Sequence, residues 1–188
     1  MSYQETLYSE WGQNFEQGQT LFEATTDYQQ LVIFENPRFG RVMALDGVIQ
    51  TTEADEFVYH EMMVHVPMNT HLNPRNVLII GGGDGGILRE VLKHPSVESV
   101  TQVEIDRAVV DMCIEYFPKH SDGAFSDPRL NLVIDDGARF IANNQAQFDV
   151  IITDSTDPIG PGEVLFESGF FFPLPFPLES LVFLLFPP

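Results

Sequence analysis

The sequence is poor in cysteine and in basic residues. Its one cysteine, Cys113, has no second cysteine to pair with, so the chain is not a disulfide-stabilised domain. Only 9 Lys and Arg stand against 28 Asp and Glu, which gives a formal net charge of −19. Because binding to nucleic-acid phosphates needs Lys and Arg, this balance argues against a nucleic-acid partner and favours cationic ligands.

Basic targeting segments and long apolar runs are also absent from the sequence. The first 20 residues contain no Lys or Arg, which argues against a signal or transit peptide. The apolar run Leu181–Phe186 is far shorter than the about 20 residues that a membrane span needs. We therefore expect a cytoplasmic protein that does not bind a membrane.

Two kinds of pattern divide the chain. Residues 1–52 predict a small β domain, in which Asp46-Gly47 between two apolar stretches is a strong hairpin signal. A helix is then predicted over 53–66, ending before Pro67. Short apolar strands and helices alternate after that, which predicts a Rossmann-like α/β domain over 53–169 with a parallel sheet. Ligands of such sheets bind beyond the carboxyl ends of the strands.

The C-terminal stretch 170–188 has a different composition. It is rich in Phe and Pro and carries a single charge, Glu179. Pro173, Pro175 and Pro177 exclude a helix or a central strand around them, whereas Leu181–Phe186 is apolar, uncharged and prone to form β structure. The composition therefore indicates a tail that does not belong to the α/β domain.

A glycine-rich segment, Gly81–Gly86, follows the first strand of the predicted parallel sheet and opens a helix. Its glycines satisfy the spacing G-x-G-x-x-G, and Glu104 closes the next strand, where an acid grips the two ribose hydroxyls of a nucleotide. A plain strand–helix turn without a ligand is the alternative. Asp84 would repel a pyrophosphate, so the segment favours an adenosyl-sulfonium over NAD or FAD, unless Asp84 only caps the helix.

Further acids follow the other predicted strands. Asp135 and Asp136 follow the third strand, and Asp154 and Asp157 follow the fourth. Each alone could be a solvated turn or a cap, but together they repel one another unless a cation lies between them. His60 and His65 are one residue too far apart for a zinc-protease helix, so we expect no metal site.

Several motifs together resemble the polyamine aminopropyltransferase family, and within it the bacterial spermidine synthases. The matching stretches are FGRVMALDGVIQ (39–50), TEADEFVYHEMM (52–63), VLIIGGGDGG (77–86), VEID (103–106), DDG (135–137) and DSTDPIGPG (154–162). The resemblance implies an N-terminal β domain used in oligomer contacts, as a homodimer or homotetramer, and a methyltransferase-like catalytic domain. It also implies transfer of an aminopropyl group from decarboxylated S-adenosylmethionine to putrescine, which gives spermidine and methylthioadenosine without a prosthetic group.

The resemblance further implies roles for individual residues. The co-substrate would be held by Gln29, Gln50, Gly81, Asp84, Glu104, Asp136, Gly137 and Pro161, with Glu104 on the ribose, Asp136 on the adenine and Asp84 on the aminopropyl ammonium. The diamine would be held by Tyr59, His60, Asp84, Asp154, Ser155, Thr156 and Asp157. Asp154 would be the general base.

The resemblance stops after Ser168, where the family continues with a helix and more strands. We therefore expect a catalytic domain that is incomplete at its C-terminal end and a fourth strand left as an unpaired edge. Such a chain is predicted to be inactive or insoluble. The alternatives are an S-adenosylmethionine-dependent methyltransferase, which must accommodate the methionine carboxylate, and a non-catalytic polyamine-binding remnant.

Overall fold

The computed structural model describes residues 1–5, 7, 10–144 and 146–155, and the backbone of 181–184. Its strands are Ser2–Gln4 (β1), Asn14–Glu16 (β2), Thr20–Thr25 (β3), Gln30–Asn36 (β4), Gly40–Leu45 (β5), Val48–Thr52 (β6), Asn76–Gly81 (β7), Ser99–Glu104 (β8), Leu130–Ile134 (β9), Val150–Asp154 (β10) and Leu181–Leu184 (β11). Its helices are Glu56–Thr70 (α1), Gly86–Leu92 (α2), Arg107–Tyr116 (α3), Pro118–Ser121 (α4) and Gly137–Asn143 (α5), with a 3-10 turn at Ala124–Ser126.

The N-terminal part forms a β1-β2 hairpin and an antiparallel sheet of order β3-β4-β5-β6. The predicted hairpin turn at Asp46-Gly47 joins β5 to β6, and both residues have positive φ angles of 47° and 84°, as a type I′ turn requires. One face of this sheet packs against α3 through a buried cluster of Leu31, Ile33, Met43, Leu45, Val109, Cys113 and Phe117. That cluster joins the N-terminal sheet to the rest of the molecule.

The second sheet is parallel and has the order β11-β10-β7-β8-β9. The chain moves outward from β7 through β8 to β9 and then returns to place β10 on the other side of β7. A crevice forms at the carboxyl ends of the strands where the order reverses, and that crevice is the usual ligand site of such sheets. Asp154 and Gly81 lie side by side there.

Helices cover both faces of the parallel sheet, which explains why β7 is apolar along its length. On one face, Met63 of α1 and Ile87 of α2 pack against Ile79. On the other face, Ile141 of α5 packs near Leu78. The predicted α/β fold, a small β region followed by a Rossmann-like parallel sheet, is thus confirmed. Within the described part of the chain, no helix has the length and apolar character to cross a bilayer.

The bounds predicted for α1 were wrong at both ends. The helix begins at Glu56 because Thr52 still pairs with Val42 of β5, and the Glu53 backbone N–H donates to the Arg41 carbonyl at 3.0 Å. It also continues through Pro67 to Thr70. A buried proline costs this helix one hydrogen bond, but the final turn still forms.

The prediction of an unpaired fourth strand was also wrong. The backbone of β11 pairs in parallel with β10, from Val150 opposite Leu181 to Thr153 opposite Leu184. This segment lies within the proline-free apolar run of the tail, beyond Pro177, so its backbone N–H groups are free to join a sheet. In the described chain β10 therefore lies between β7 and β11.

Candidate active site

A cavity of about 800 Å³ lies at the carboxyl ends of the parallel strands, where α1 and the N-terminal sheet also reach the crevice. Many of the predicted site residues line it: Gln29, Gln50, Tyr59, His60, Gly81, Asp84, Glu104, Asp136, Gly137, Asp154 and Ser155. Thr156, Asp157 and Pro161 lie outside the described residues. Side chains from both sheets thus meet in one cavity.

Two glycines of the segment 81–86 make room for the protein's own site residues. Gly81 has a φ of +83°, and a Cβ at this position would overlap the Asp154 carbonyl oxygen. A Cβ at Gly86 would overlap the imidazole ring of His60. The sequence predicted that these glycines let a ligand approach the backbone. The structure shows that Gly81 also makes room for the end of β10, and Gly86 for the His60 ring of α1.

His60 lies between two carboxylates. Its Nδ1 is 2.5 Å from Oε2 of Glu56, and its Nε2 is 3.1 Å from Oδ2 of Asp84. Burial alone lowers the pKa of His60, but the charge of Asp84, the hydrogen bonds to Asp84 and Glu56, and the charge of Asp154 outweigh it and raise the pKa to about 10. At neutral pH the ring is therefore an imidazolium that donates to both carboxylates.

Asp84 lies just before α2, where it accepts a backbone N–H, and also faces the cavity. Its Oδ1 accepts the backbone N–H of Gly86 at 2.9 Å, and its Oδ2 faces His60. Burial opposes the charge of Asp84, but His60 overcomes this and lowers the pKa to about 2. Because a carboxylate offers about four acceptor positions, Asp84 retains lone pairs for a further donor.

Asp154 ends β10 and has one of its two oxygens engaged. The hydroxyl group of Tyr59 donates to Oδ1 of Asp154 at 2.7 Å. Burial, with the nearby charge of Asp84, raises the pKa of Asp154 to about 6, while His60 and Tyr59 act in the opposite direction. Burial and the Asp154 charge raise the pKa of Tyr59, so its hydroxyl stays protonated. Asp154 is therefore a carboxylate at pH 7 that can still accept a proton.

Glu104 ends β8 and is 7% exposed. Its Oε1 accepts the backbone N–H of Asp106 at 3.0 Å, but burial still raises its pKa to about 7. Asp106 in turn accepts hydrogen bonds from Thr26 at 2.7 Å and from Gln29 Nε2 at 3.2 Å. Asp106 therefore holds Gln29, from the turn between β3 and β4, beside the end of β8.

Three residues of this arrangement were missed in the sequence: Glu56, Arg89 and Asp106. Glu56 precedes His60 by four residues on one helix, a spacing that brings side chains together and could have indicated the pair. Asp106 carried a weaker signal, as an acid just before α3, whose first turn it caps through the Ala108 N–H at 3.0 Å. Arg89 gave no signal, because only the packing of α2 on α1 brings it to Glu56.

The two histidines of α1 engage different carboxylates. Nε2 of His60 faces Asp84, whereas Nε2 of His65 lies 3.1 Å from Oε2 of Glu90. Among the residues that the structure describes, no group of three or more His, Cys, Asp or Glu side chains is arranged to hold a metal ion. The carboxylates of the cavity attract a cation, and one of them, Asp154, can take up a proton.

Comparison with known proteins gives matches over most of the chain. Residues 4–53 match a spermidine synthase tetramerisation domain, and residues 56–174 match the spermine/spermidine synthase domain. Polyamine aminopropyltransferase 1 of Pseudomonas aeruginosa is 69% identical over 169 residues, which cover 90% of this chain and 59% of that protein. The polyamine aminopropyltransferase of Pseudomonas syringae pv. tomato is 66% identical with the same coverage.

Solved structures agree with these matches. The spermidine synthase from Thermotoga maritima aligns with a TM-score of 0.84 at 47% identity, over 91% of this chain and 58% of its own. A spermidine synthase in complex with the transition state analogue AdoDATO aligns with a TM-score of 0.86 at 48% identity, over 91% of this chain and 59% of its own. This chain spans 59% of the length of those two Pseudomonas relatives, and it belongs to the spermine/spermidine synthase family.

Proposed function

We propose that the cavity is an aminopropyl-transfer site, in which decarboxylated S-adenosylmethionine alkylates putrescine to give spermidine and methylthioadenosine. The observation that carries this proposal is that Asp84, Glu104 and Asp154 line one cavity. Their charges suit a co-substrate with a sulfonium and an ammonium group, and a diamine acceptor. The names of the relatives, polyamine aminopropyltransferases, support transfer of an aminopropyl group.

The proposed binding mode follows the family resemblance. On the adenosyl side, Glu104 takes the ribose and Asp136 the adenine, with Gln29, Gly81, Gly137 and Pro161 around them. Asp84, with Gln50 nearby, takes the aminopropyl ammonium. Tyr59, His60, Ser155, Thr156 and Asp157 line the path of the diamine. The proposal includes no prosthetic group.

The protonated amine is the main obstacle to the reaction. An alkyl ammonium has a pKa of about 10.4, so freeing its lone pair at pH 7 costs about 4.6 kcal/mol. Asp154 meets this need, because Tyr59 occupies Oδ1 and leaves Oδ2 for the incoming amine. The proton moves from the amine nitrogen to Asp154 within a cavity that restricts water.

The bond changes then depend on the sulfonium as a good leaving group and on the alignment of the reacting atoms. The amine nitrogen forms a bond to the carbon next to the sulfonium, the carbon–sulfur bond breaks, and its electron pair stays on sulfur. Methylthioadenosine leaves as a neutral thioether. Alignment of nitrogen, carbon and sulfur supplies much of the remaining acceleration, and Asp84 contributes by fixing the aminopropyl arm.

A second candidate function is binding of polyamines without turnover. It is favoured by the carboxylates that line the cavity, since these attract a polyamine whether or not a reaction follows. The prediction of an inactive or insoluble chain had two premises, and the pairing of β10 with β11 removes one of them, the uncovered sheet edge. The other premise, a catalytic domain that is incomplete at its C-terminal end, remains a prediction.

Two further parts of the proposal concern the whole protein. We propose a homo-oligomer, a homodimer or homotetramer, supported by the match of residues 4–53 to a tetramerisation domain. We also keep the cytoplasm as the proposed location, on the basis of the single cysteine and the family resemblance.

The test is turnover by the purified 188-residue chain, with methylthioadenosine and spermidine measured by mass spectrometry. We expect both products in equal amounts. Asp154→Asn should bind the co-substrate with unchanged affinity but lose about 10²- to 10⁴-fold in kcat, the usual contribution of a general base. Unchanged kcat would remove Asp154 from this role. Ligand binding by the unmodified chain without product would support the second candidate instead.

A further inference from the structure

Behind His60, on the side away from the cavity centre, lies a pair of charged residues that the reaction as proposed does not use. Arg89 holds Glu56 with two hydrogen bonds of 3.0 Å, from NH1 to Oε1 and from NH2 to Oε2. The side chains of Glu56 and Arg89 are only 10% and 13% exposed. A two-point contact of this kind fixes the plane of the carboxylate as well as its position.

Arg89 is itself fixed by other contacts. Its guanidinium also donates to the backbone carbonyls of Lys119 at 3.0 Å and His120 at 2.7 Å, and its Nε donates to Glu90 at 2.7 Å. Arg89 therefore ties α1, α2 and α4 together at one point. Glu56 cannot leave its place without breaking that junction.

Glu56 in turn fixes the orientation of the His60 ring, which lies in the site. The imidazole is held at both nitrogens, by Glu56 at 2.5 Å and by Asp84 at 3.1 Å. The ring also lies against Gly86, where no side chain pushes it away. Rotation of the His60 side chain would break two hydrogen bonds to buried carboxylates, one to Glu56 and one to Asp84.

The charges around His60 favour its protonated form. Glu56 on α1, Asp84 after β7 and Asp154 on β10 attract the proton. The positively charged side chain of Arg89, on α2, is bound to Glu56 on the side away from the cavity. His120 on α4 has its ring centroid 6.2 Å from that of His60; burial lowers the pKa of His120, so that ring is neutral and bonds Thr51. The edge of Tyr59 completes the surroundings.

We propose that Glu56, fixed by Arg89, is a positioning residue that keeps His60 as an imidazolium aimed at Asp84. This arrangement holds Asp84 in place for the aminopropyl ammonium and sets a positive charge near Asp154. The part of the inference that concerns catalysis rests on the proposed function. The charge matters because His60 lowers the pKa of Asp154, against the burial that raises it.

The first test is the titration of His60 in the ligand-free 188-residue chain, followed by NMR of ¹⁵N-labelled histidine. The His60 signals are assigned by their absence from the His60→Gln variant. Glu56→Gln should lower the midpoint by about 1 to 3 pH units, the usual effect of one adjacent opposite charge. Glu61→Gln, which removes an exposed charge from the same helix, should leave the midpoint unchanged. Equal midpoints in these two variants would overturn the proposal.

A second variant separates positioning from helix stability. Glu56→Asp keeps the charge but is one methylene shorter, so it cannot reach His60 and Arg89 together. Its midpoint should fall between those of the unmodified chain and Glu56→Gln. A midpoint equal to that of the unmodified chain would show that the geometry of Glu56 is not needed.

The catalytic consequence is tested by the pH profile of kcat/KM. In Glu56→Gln, His60 loses its proton at lower pH and Asp84 then loses its charged partner, so the alkaline limb should move to lower pH by about 1 to 3 units. A purely structural defect would lower kcat/KM equally at all pH values and would contradict the positioning role. Failure of the unmodified chain to bind the co-substrate would count against the proposed function. The His60 midpoint is measured without ligand, so it would still test the positioning role of Glu56.

Discussion

At the scale of single residues, Glu104 is a site residue whose charged form lowers the stability of the folded chain. The residue is 7% exposed, and burial raises the pKa of its carboxyl group from 4.5 to about 7. The charges of Asp106 and Asp154 add to the shift, and the backbone hydrogen bond from Asp106 offsets only part of it. Glu104 is therefore harder to ionise in the folded chain than in the unfolded chain.

This conflict predicts a pH-dependent effect of Glu104→Gln. Between about pH 4.5 and 7 the unfolded chain has released the proton that the folded chain retains, so stability falls as pH rises through this window. The substitution should raise the free energy of unfolding at pH 8 by about 1 to 3 kcal/mol, since each pKa unit corresponds to 1.36 kcal/mol, and change it little at pH 4. Urea unfolding at the two pH values measures this.

The control for this prediction is Glu98→Gln, because the Glu98 side chain is 62% exposed. It should have a small effect at both pH values. An increase for Glu104→Gln that is the same at pH 4 and pH 8 would mean that ionisation is not the cause.

The acids of the site could be predicted from the sequence because topology alone brings them together. Asp84, Glu104 and Asp154 each follow or end a strand of one parallel sheet, and the carboxyl ends of parallel strands meet at one edge. The partners of these acids could not be predicted so well. Arg89 reaches Glu56 only through the packing of two helices, which no local pattern in the sequence records.

At the scale of elements, the strand–glycine–helix unit is shaped by what packs against it. The His60 ring of α1 occupies the space beside Gly86, and the end of β10 occupies the space beside Gly81. Gly83 lies close to Glu104, whose Oε2 would be 2.9 Å from an added Cβ. The glycine pattern is therefore a packing requirement of three neighbouring elements as well as a ligand-binding signal.

This requirement predicts the effect of Gly86→Ala. The added methyl group must displace His60, so we expect a loss of about 1 to 3 kcal/mol in stability, as for other overpacked sites. Affinity for the proposed co-substrate should fall at least tenfold, because Asp84 loses the partner that holds it. Thermal unfolding and calorimetric titration measure the two effects.

Gly123→Ala is the matched control, since Gly123 has a φ of +82° and no atom within 4 Å of an added Cβ. It should lose about 1 to 2 kcal/mol of stability through backbone strain, with affinity unchanged. If Gly86→Ala and Gly123→Ala had the same affinity for the co-substrate, the packing of His60 would not matter to the site.

Element bounds were the part of the fold that the sequence predicted least well. Pro67 indicated the end of α1, but the residues after it are held by burial of Met68 and continue the helix. The tail appeared foreign by composition, yet four of its residues join the sheet beside β10. In both cases a contact with distant residues outweighed the local preference.

At the scale of the whole molecule, charge is the dominant feature. The net charge of −19 is spread over the chain, and carboxylates are also concentrated in the one cavity that lies at the switch point of the sheet. The general field raises the local concentration of cations, while the cavity decides which cation is held. Selectivity should therefore depend on Asp84 and very little on surface acids.

The most direct test is calorimetric titration of the 188-residue chain with decarboxylated S-adenosylmethionine and with S-adenosylmethionine. The two differ by one carboxylate, which Asp84 would repel. We predict at least tenfold tighter binding of the decarboxylated form, about 1.4 kcal/mol, and a ratio near one for Asp84→Asn. Asp111→Asn, which removes a charge from the exposed face of α3, should keep the full ratio. Equal affinity of the unmodified chain for the two compounds would contradict the account.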